Sequence, residues 1–178
     1  MIRLEPIALT HADALQPLLE QVAATATTPF PWPYPPDGAT VYISELLARR
    51  EAGDRYAFVI REQDGLPLGV SVLKGLDRES GEAELGYWIG VPYWGRGLAT
   101  SAAAATLNFG FDTLGLQVIR AVCLADNAAS LRVLAKLGFT ETGRFPQSLP
   151  RGSEPRPCVL LRLPREAWRQ PHTASVAP

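Results

Sequence analysis

Cysteine, histidine and methionine are all scarce in this sequence: two, two and one among 178 residues. Cys123 and Cys158 share no metal-ligand spacing with each other or with His11 and His172, so neither a zinc site nor a disulfide framework is indicated. Both cysteines lie in apolar runs, at 118–125 and 158–163, and read as buried free thiols. Neither sign of charge is in excess, with Lys plus Arg at 17 and Asp plus Glu at 18. No basic surplus therefore points to nucleic acid or anionic lipid. No apolar run approaches the roughly 20 residues of a membrane span. The start, Met1-Ile2-Arg3-Leu4-Glu5, has no apolar segment of the export-leader kind behind it. These absences set the expectation of a cytoplasmic protein, monomer or homodimer, with no metal, nucleic-acid or membrane partner.

What the sequence does have is a change of period along the chain. Ile2 and Leu4 alternate with polar positions and predict a first strand. Thr10-His11-Ala12-Asp13 has the spacing of a capping box, and Leu15, Leu18, Leu19 and Val22 follow at helical spacing, with Pro17 inside the run. Residues 27–36 are dense in proline and aromatics and fit neither a helix nor a central strand. Asp37 is placed to cap a second helix that ends before Gly53. From 56 onward the pattern becomes strand-turn-strand: 56–61, a turn at Asp64-Gly65, 66–76, a second turn, then 83–89. A helix rich in Ala, Ser and Thr is predicted over 98–114, a strand over 117–125, a short helix ending at Gly138, and last strands at 139–145 and 159–163. The region 1–170 reads as one α/β (α+β) domain, and 171–178 as a disordered tail.

One loop in this order carries chemistry. Gly95-Arg96-Gly97 stands between a strand and a helix, where the first N–H groups of the helix lack intrahelical partners and the helix dipole adds partial positive charge. Glycine lets a phosphate approach the backbone closely, and Arg96 adds a side-chain cation. A Rossmann fingerprint would need a third glycine where Thr100 stands, and would follow a βαβ unit rather than hairpins. A phosphate loop ending in Gly-Lys-Ser/Thr is absent. A glycine turn without a ligand also fits the loop taken alone.

The surrounding residues narrow this. The run from Gly86 through Tyr87, Trp88, Ile89, Gly90, Val91, Pro92, Tyr93, Trp94, Gly95, Arg96, Gly97, Leu98 and Ala99 to Thr100 resembles the acetyl-CoA motif of the GNAT acetyltransferases. The likeness is greatest to the RimJ/RimL branch, which includes ribosomal-protein N-terminal acetyltransferases. Asn127-Ala128-Ala129-Ser130, continuing to Lys136-Leu137-Gly138-Phe139, resembles that branch's second motif. The likeness covers 56–163 well and the N-terminal third loosely. It implies the GNAT fold: a mixed, mostly antiparallel, splayed sheet of about seven strands flanked by about four helices. It also implies acetyl-CoA as cosubstrate, with pantetheine along Ile89, Gly90 and Val91, and the diphosphate on main-chain N–H groups of Arg96, Gly97, Leu98, Ala99 and Thr100. Trp94, Gly95 and Asn127 complete the implied cofactor set. Trp94 stands where many members carry Gln or Arg, and Ser101 where the branch often has Glu.

Acetyl transfer to an amine needs a base for the amine, a polarised thioester oxygen and a proton for the departing thiolate. Many family members supply that proton from a tyrosine in the second motif; here the position is Leu134. The resemblance points instead to Ser130, which by its place could equally cap the short helix. Glu84 and Glu82 alternate onto the face opposite Leu85 and Tyr87, and Glu84 is the candidate base. His11 and His172 are poorly placed for that role. Trp32 and Tyr34, with Phe30, are candidates to wall the amine acceptor. The aspartate that the branch carries before its last strand is absent, Arg156 or Pro157 standing there, which puts a ribosomal-protein acceptor in question. The expected function is N-acetylation of a protein N-terminal amine or a small-molecule amine by direct transfer in a ternary complex. The alternative is a non-catalytic acyl-CoA-binding module.

Overall fold

The computed structural model describes residues 2–25, 27–62, 65–148, 154–170 and 175–176. Seven strands follow the predicted order closely: β1 (Ile2–Pro6), β2 (Arg55–Glu62), β3 (Pro67–Asp77), β4 (Glu82–Ile89), β5 (Val118–Leu124), β6 (Thr140–Gln147) and β7 (Arg156–Pro164). A two-residue strand, β8 (Ser175–Val176), lies parallel to β1. The remaining positions of 171–178 lie outside the described residues, and so does the expectation of disorder made for them. The sheet order is β6-β7-β5-β4-β3-β2-β1-β8. β1 to β4 form an antiparallel meander, β4 and β5 run parallel, and β5, β7 and β6 are antiparallel. The architecture is the mixed, mostly antiparallel sheet expected from the sequence.

Four α-helices cover the two faces: α1 (Ala12–Ala24), α2 (Gly38–Glu51), α3 (Leu98–Asn108) and α4 (Ala128–Lys136). Alternation along the strands decides which residue meets which helix. Ala57, Val59, Val70 and Trp88 face α1 and α2, where Leu15, Leu19, Ile43 and Leu46 bury against them. Leu73, Ala83, Leu85, Ile119 and Ala121 face the other way, onto Ala103, Ala104 and Leu107 of α3 and Leu134 of α4. The small side chains of α3 let its axis lie close to the sheet, and Ala102 to Ala105 are fully covered. One polar pair survives in that interface: Ser71 Oγ and Thr106 Oγ1, 2.7 Å apart, satisfy each other.

Three local expectations are corrected. Thr10 does not cap α1; a 3₁₀ turn over Leu9–His11 precedes the helix, and the buried His11 uses Nδ1 to accept from Ala8 N–H at 3.0 Å. The imidazole, also 3.2 Å from Glu5 Oε1, offers a better acceptor than a hydroxyl at that turn. The helix predicted over 98–114 ends as α-helix at Asn108 and continues as a π-helical turn over Phe109–Thr113. There Gly110 passes so close to Ile119 and Leu73 that a Cβ would meet Ile119 Cδ1 at 2.8 Å. Asp37 stands at the N-cap of α2, but its side chain makes no capping bond. Gln16 instead ties that region down, accepting from Ala39 N–H and donating to the Pro35 carbonyl, both at 2.8 Å.

Candidate active site

The N-terminus of α3 is the first half of the site. Gly95 and Gly97 have φ of +77° and +75°, and a Cβ added to either would meet nothing within 4 Å. Their glycines are thus required by the left-handed backbone rather than by crowding, and open space lies in front of them. Gly97 is the N-cap, with no side-chain cap bond, and the first helical bond runs from Ser101 N–H to the Gly97 carbonyl at 3.2 Å. The N–H groups of Leu98, Ala99 and Thr100 are left outside the helical ladder, a ready anion cradle. Arg96 is not the free cation expected: its guanidinium is paired with Glu62 and lies 5.9 Å from the Tyr93 ring centroid. Trp94 donates its indole N–H to the Ile89 carbonyl at 2.7 Å, and Gly90 N–H reaches the Leu68 carbonyl at 2.8 Å. Those two bonds fix the turn from β4 into the loop. Each of the three backbone positions expected to receive pantetheine has an internal partner, since the Val91 carbonyl also accepts from Trp94 N–H at 3.2 Å.

The second half is a gap in the sheet. β4 and β5 pair only at Glu82–Val118, Ala83–Ile119 and Glu84–Arg120. Past Glu84, β4 has β3 on one side and no strand on the other. The first turn of α4 bridges the gap, because the Tyr87 hydroxyl of β4 and Ser130 Oγ of α4 are 2.9 Å apart. Asn127 is the N-cap of α4, its Oδ1 accepting from Ser130 N–H at 3.1 Å. The capping role considered for Ser130 therefore belongs to Asn127, which leaves the Ser130 hydroxyl facing Tyr87. Leu134, at the position where a second-motif tyrosine would sit, is 1% exposed and packs in the core. Burial raises the Tyr87 phenol pKa well above its ordinary value, with the Ser130 hydrogen bond opposing in part. Cys123 of β5 shares the spot; burial raises its thiol pKa and a Ser130 hydrogen bond lowers it. Tyr87 was missed in the sequence because it reads as one more apolar residue in the alternation of β4. The signal that could have found it is a lone phenol on the face of the strand next to the splay.

A cavity of about 550 Å³ runs through this gap, lined by Tyr87, Cys123, Asn127, Ser130 and Leu134 on the α4 side. On the α1–α2 side its wall includes Thr28, Phe30, Tyr42, Arg55, Lys74, Glu84 and Trp88. Glu84 is on the face expected, opposite Leu85 and Tyr87, but its carboxylate is held by Lys74 Nζ at 2.8 Å. Glu82 is engaged by Arg162 and Arg120 at 2.7 and 3.4 Å. Neither carboxylate stands alone as a base. Phe30 packs edge-on against Tyr34, Tyr42 and Trp88, with centroids 5.4 to 6.1 Å apart. Trp32, 51% exposed, and Tyr34 are not among the residues lining the cavity. Tyr34 buttresses Phe30 and covers Gly38, where a Cβ would meet its ring at 2.5 Å. Among the described residues no cluster of His, Cys, Asp or Glu is arranged to hold a metal, and no helix is long and apolar enough to cross a membrane.

Known proteins resemble this chain in sequence and in fold. The family model described as "Acetyltransferase (GNAT) domain" matches residues 2–140. An uncharacterized N-acetyltransferase, p20, of Bacillus licheniformis is 32% identical over 101 residues, which span 57% of this chain and 56% of the relative. The chain thus covers little more than half the length of that relative. The spermidine N(1)-acetyltransferase of Escherichia coli K12 is 27% identical over 142 residues, 76% of each protein. Among solved structures, Mycobacterium smegmatis RimJ in complex with CoA-disulfide superposes with a TM-score of 0.82 at 26% identity, over 93% of this chain and 82% of that one. With a sheet that opens beyond Glu84, a glycine-led N-terminus on α3 and a family match over most of its length, the chain belongs to the GNAT acetyltransferase domain family.

Proposed function

We propose that this protein is an acetyl-CoA-dependent N-acetyltransferase that transfers the acetyl group directly to a primary amine in a ternary complex. The observation that carries the reading is the hydroxyl pair Tyr87–Ser130 at the mouth of the β4–β5 gap, on the strand whose C-terminal end leads into the loop before α3. The residues fit acetyl-CoA: the space in front of Gly95 and Gly97 is open to a diphosphate, and the cavity in the β4–β5 gap is lined by Tyr87 and Ser130. Arg96, Gly97, Leu98, Ala99 and Thr100 would hold the diphosphate. Ile89, Gly90 and Val91, turned by Trp94, would flank the pantetheine. When bound, acetyl-CoA supplies a thioester carbon and a thiolate leaving group.

The protein's own part is proton management and positioning. Tyr87 stays a neutral phenol at working pH, because burial opposes its ionisation. It is therefore a donor, directly or through Ser130, at the place where the thiolate departs. Asn127 holds the first turn of α4 and with it the Ser130 hydroxyl. Glu84, with Lys74, meets the acceptor at the other side and is the candidate to receive the amine proton through water. Phe30 rather than Trp32 or Tyr34 supplies the aromatic wall. The acceptor is a protein N-terminal amine or a small-molecule amine; the E. coli relative is named for spermidine. We place the protein in the cytoplasm, as monomer or homodimer, with neither metal nor nucleic acid nor membrane taking part. A thiol-release assay of acetyl-CoA against N-terminal peptides, amino acids and polyamines tests the reading. Turnover with at least one amine class supports it, and CoA binding without turnover on any class would favour a non-catalytic acyl-CoA-binding module.

A further inference from the structure

Resting on that reading, we infer that the acceptor amine carries an anionic group, a carboxylate or a phosphate, which binds at Arg55 on the wall of the cavity. Arg55 opens β2 and pairs across the sheet with Lys74, which in turn pairs with Glu84. All three line the acceptor side of the cavity. Arg55 Nε is buried and has no hydrogen-bond partner, and the same is true of Thr28 Oγ1 on the facing segment. Arg55 is half-buried, and its guanidinium cannot relieve the buried Nε by losing a proton, as a lysine would. Leaving a buried charged donor unsatisfied is costly, so the arrangement calls for an acceptor atom from outside.

Four carboxylates of the neighbouring strands and turns are committed elsewhere. Glu84 holds Lys74, Glu82 holds Arg162 and Arg120, and Asp54 holds Arg49. Asp77 accepts from the backbone N–H groups of Glu79 and Ser80. Arg55 instead leaves its mark on Tyr42: burial pushes that phenol up to about 12, with the Trp88 hydrogen bond and the Arg55 charge pulling it down. The acceptor wall thus carries two cations, Arg55 and Lys74, against the single carboxylate of Glu84. A polyamine would bring more positive charge to that wall; an amine with an anion would neutralise it. Strands lie about 4.8 Å apart, so Arg55 of β2 is on the order of 10 Å from β4 and the gap beyond it. The anion therefore stands several bonds from the reacting amine, as in a peptide with Asp or Glu near its N-terminus or in an extended amino acid or amino phosphate.

The test is a set of matched acceptors in the thiol-release assay. Short peptide amides with Glu or Gln at the second or third residue form one arm. An ω-amino carboxylate against its amide, and an aminoalkyl phosphate against the alcohol, form two more; spermidine is the cationic control. The anionic member of at least one arm should be favoured by roughly 10- to 100-fold in kcat/KM, and the arms tell peptide from small molecule and carboxylate from phosphate. Arg55→Gln should remove the preference, bringing kcat/KM of the anionic member to that of its neutral partner, and Arg55→Lys should restore part of it. Preference for the neutral or cationic member in every arm, or an Arg55→Gln variant that keeps the preference, overturns the inference. If no amine releases thiol, the acetyl-transfer reading fails by itself. Calorimetric titration of the CoA-loaded protein with the anionic compounds then decides for Arg55: binding weakened at least tenfold in Arg55→Gln supports it, and equal binding overturns it.

Discussion

At the N-terminus of α3 the groups open to a ligand are peptide N–H donors on a glycine-led turn, whereas on the α1–α2 side of the cavity they are side chains from a loop, a helix and three strands. Main-chain recognition needs only a backbone path, and a backbone path is written in a short stretch of sequence by its glycines. Side-chain recognition is assembled from Thr28, Phe30, Tyr42, Arg55, Lys74 and Glu84, which are neighbours only after folding. The first end accepts one ligand and suits a cosubstrate common to a family. The second can change residue by residue and suits the acceptor that distinguishes one member from another.

The sharpest way to break this comparison is at Gly97. Gly97→Asp places a side chain at a φ of +75° and a carboxylate in front of the N–H cradle. Acetyl-CoA affinity should fall by on the order of 10²-fold or more in calorimetry. Phe30→Ala, at the other end, should leave that affinity unchanged and raise KM for the amine. Loss of cosubstrate binding in Phe30→Ala, or none in Gly97→Asp, would show that the two ends are not separable.

Next in size is the proton donor between the two ends. Tyr87→Phe should lower kcat by about 10²-fold with acetyl-CoA affinity intact. Ser130→Ala should do nearly as much, and the double variant little more than either alone, since the two hydroxyls act as one unit. Because the phenol pKa is raised, its ionisation should not cut kcat as pH climbs from 8 toward its ordinary value of about 10. An additive pair of losses, or a kcat for Tyr87→Phe equal to that of the parent, would assign the proton to water.

Smaller effects separate scaffold from chemistry. Asn127→Ala removes the cap of α4 and should cost about 1 kcal/mol, a fall of roughly 2–4 °C in Tm. Ser130→Ala, with the cap in place, should fall less in a melting curve while losing more rate. The smallest effect belongs to Glu62→Gln, which frees Arg96 from its exposed pair. Acetyl-CoA should then bind about two- to fivefold more tightly at low salt, the gain fading as salt screens it. Unchanged affinity would leave Arg96 as a support for Tyr93 and not a phosphate ligand.

The same division explains what could be read in advance. Strands β1 to β7 and all four helices were legible, because period, turn residues and caps act locally. The loop at Gly95 to Gly97 was legible for the same reason. Thr10 and Asp37 misled as capping side chains, since His11 and Gln16 took over through contacts that spacing alone does not show. Arg96 looked free because Glu62, at the end of β2, is distant in sequence and adjacent only in the fold. Tyr87 and Arg55 were hidden for another reason: each sits in an apolar strand pattern where a phenol or a guanidinium stem packs like its neighbours. Trp32 and Tyr34 drew attention as aromatics among prolines, yet the cavity takes Phe30 from that segment.

The central claim is that the N-terminus of α3 receives the diphosphate of acetyl-CoA. Calorimetric titration of the parent protein and of Gly97→Asp with acetyl-CoA and with acetyl-pantetheine, which lacks the diphosphate, tests it directly. The account predicts that the parent prefers acetyl-CoA by at least about 10²-fold, and that the preference collapses in Gly97→Asp while the weak binding of acetyl-pantetheine persists. Equal affinity of the parent for both compounds, or a preference undisturbed by the substitution, would contradict it.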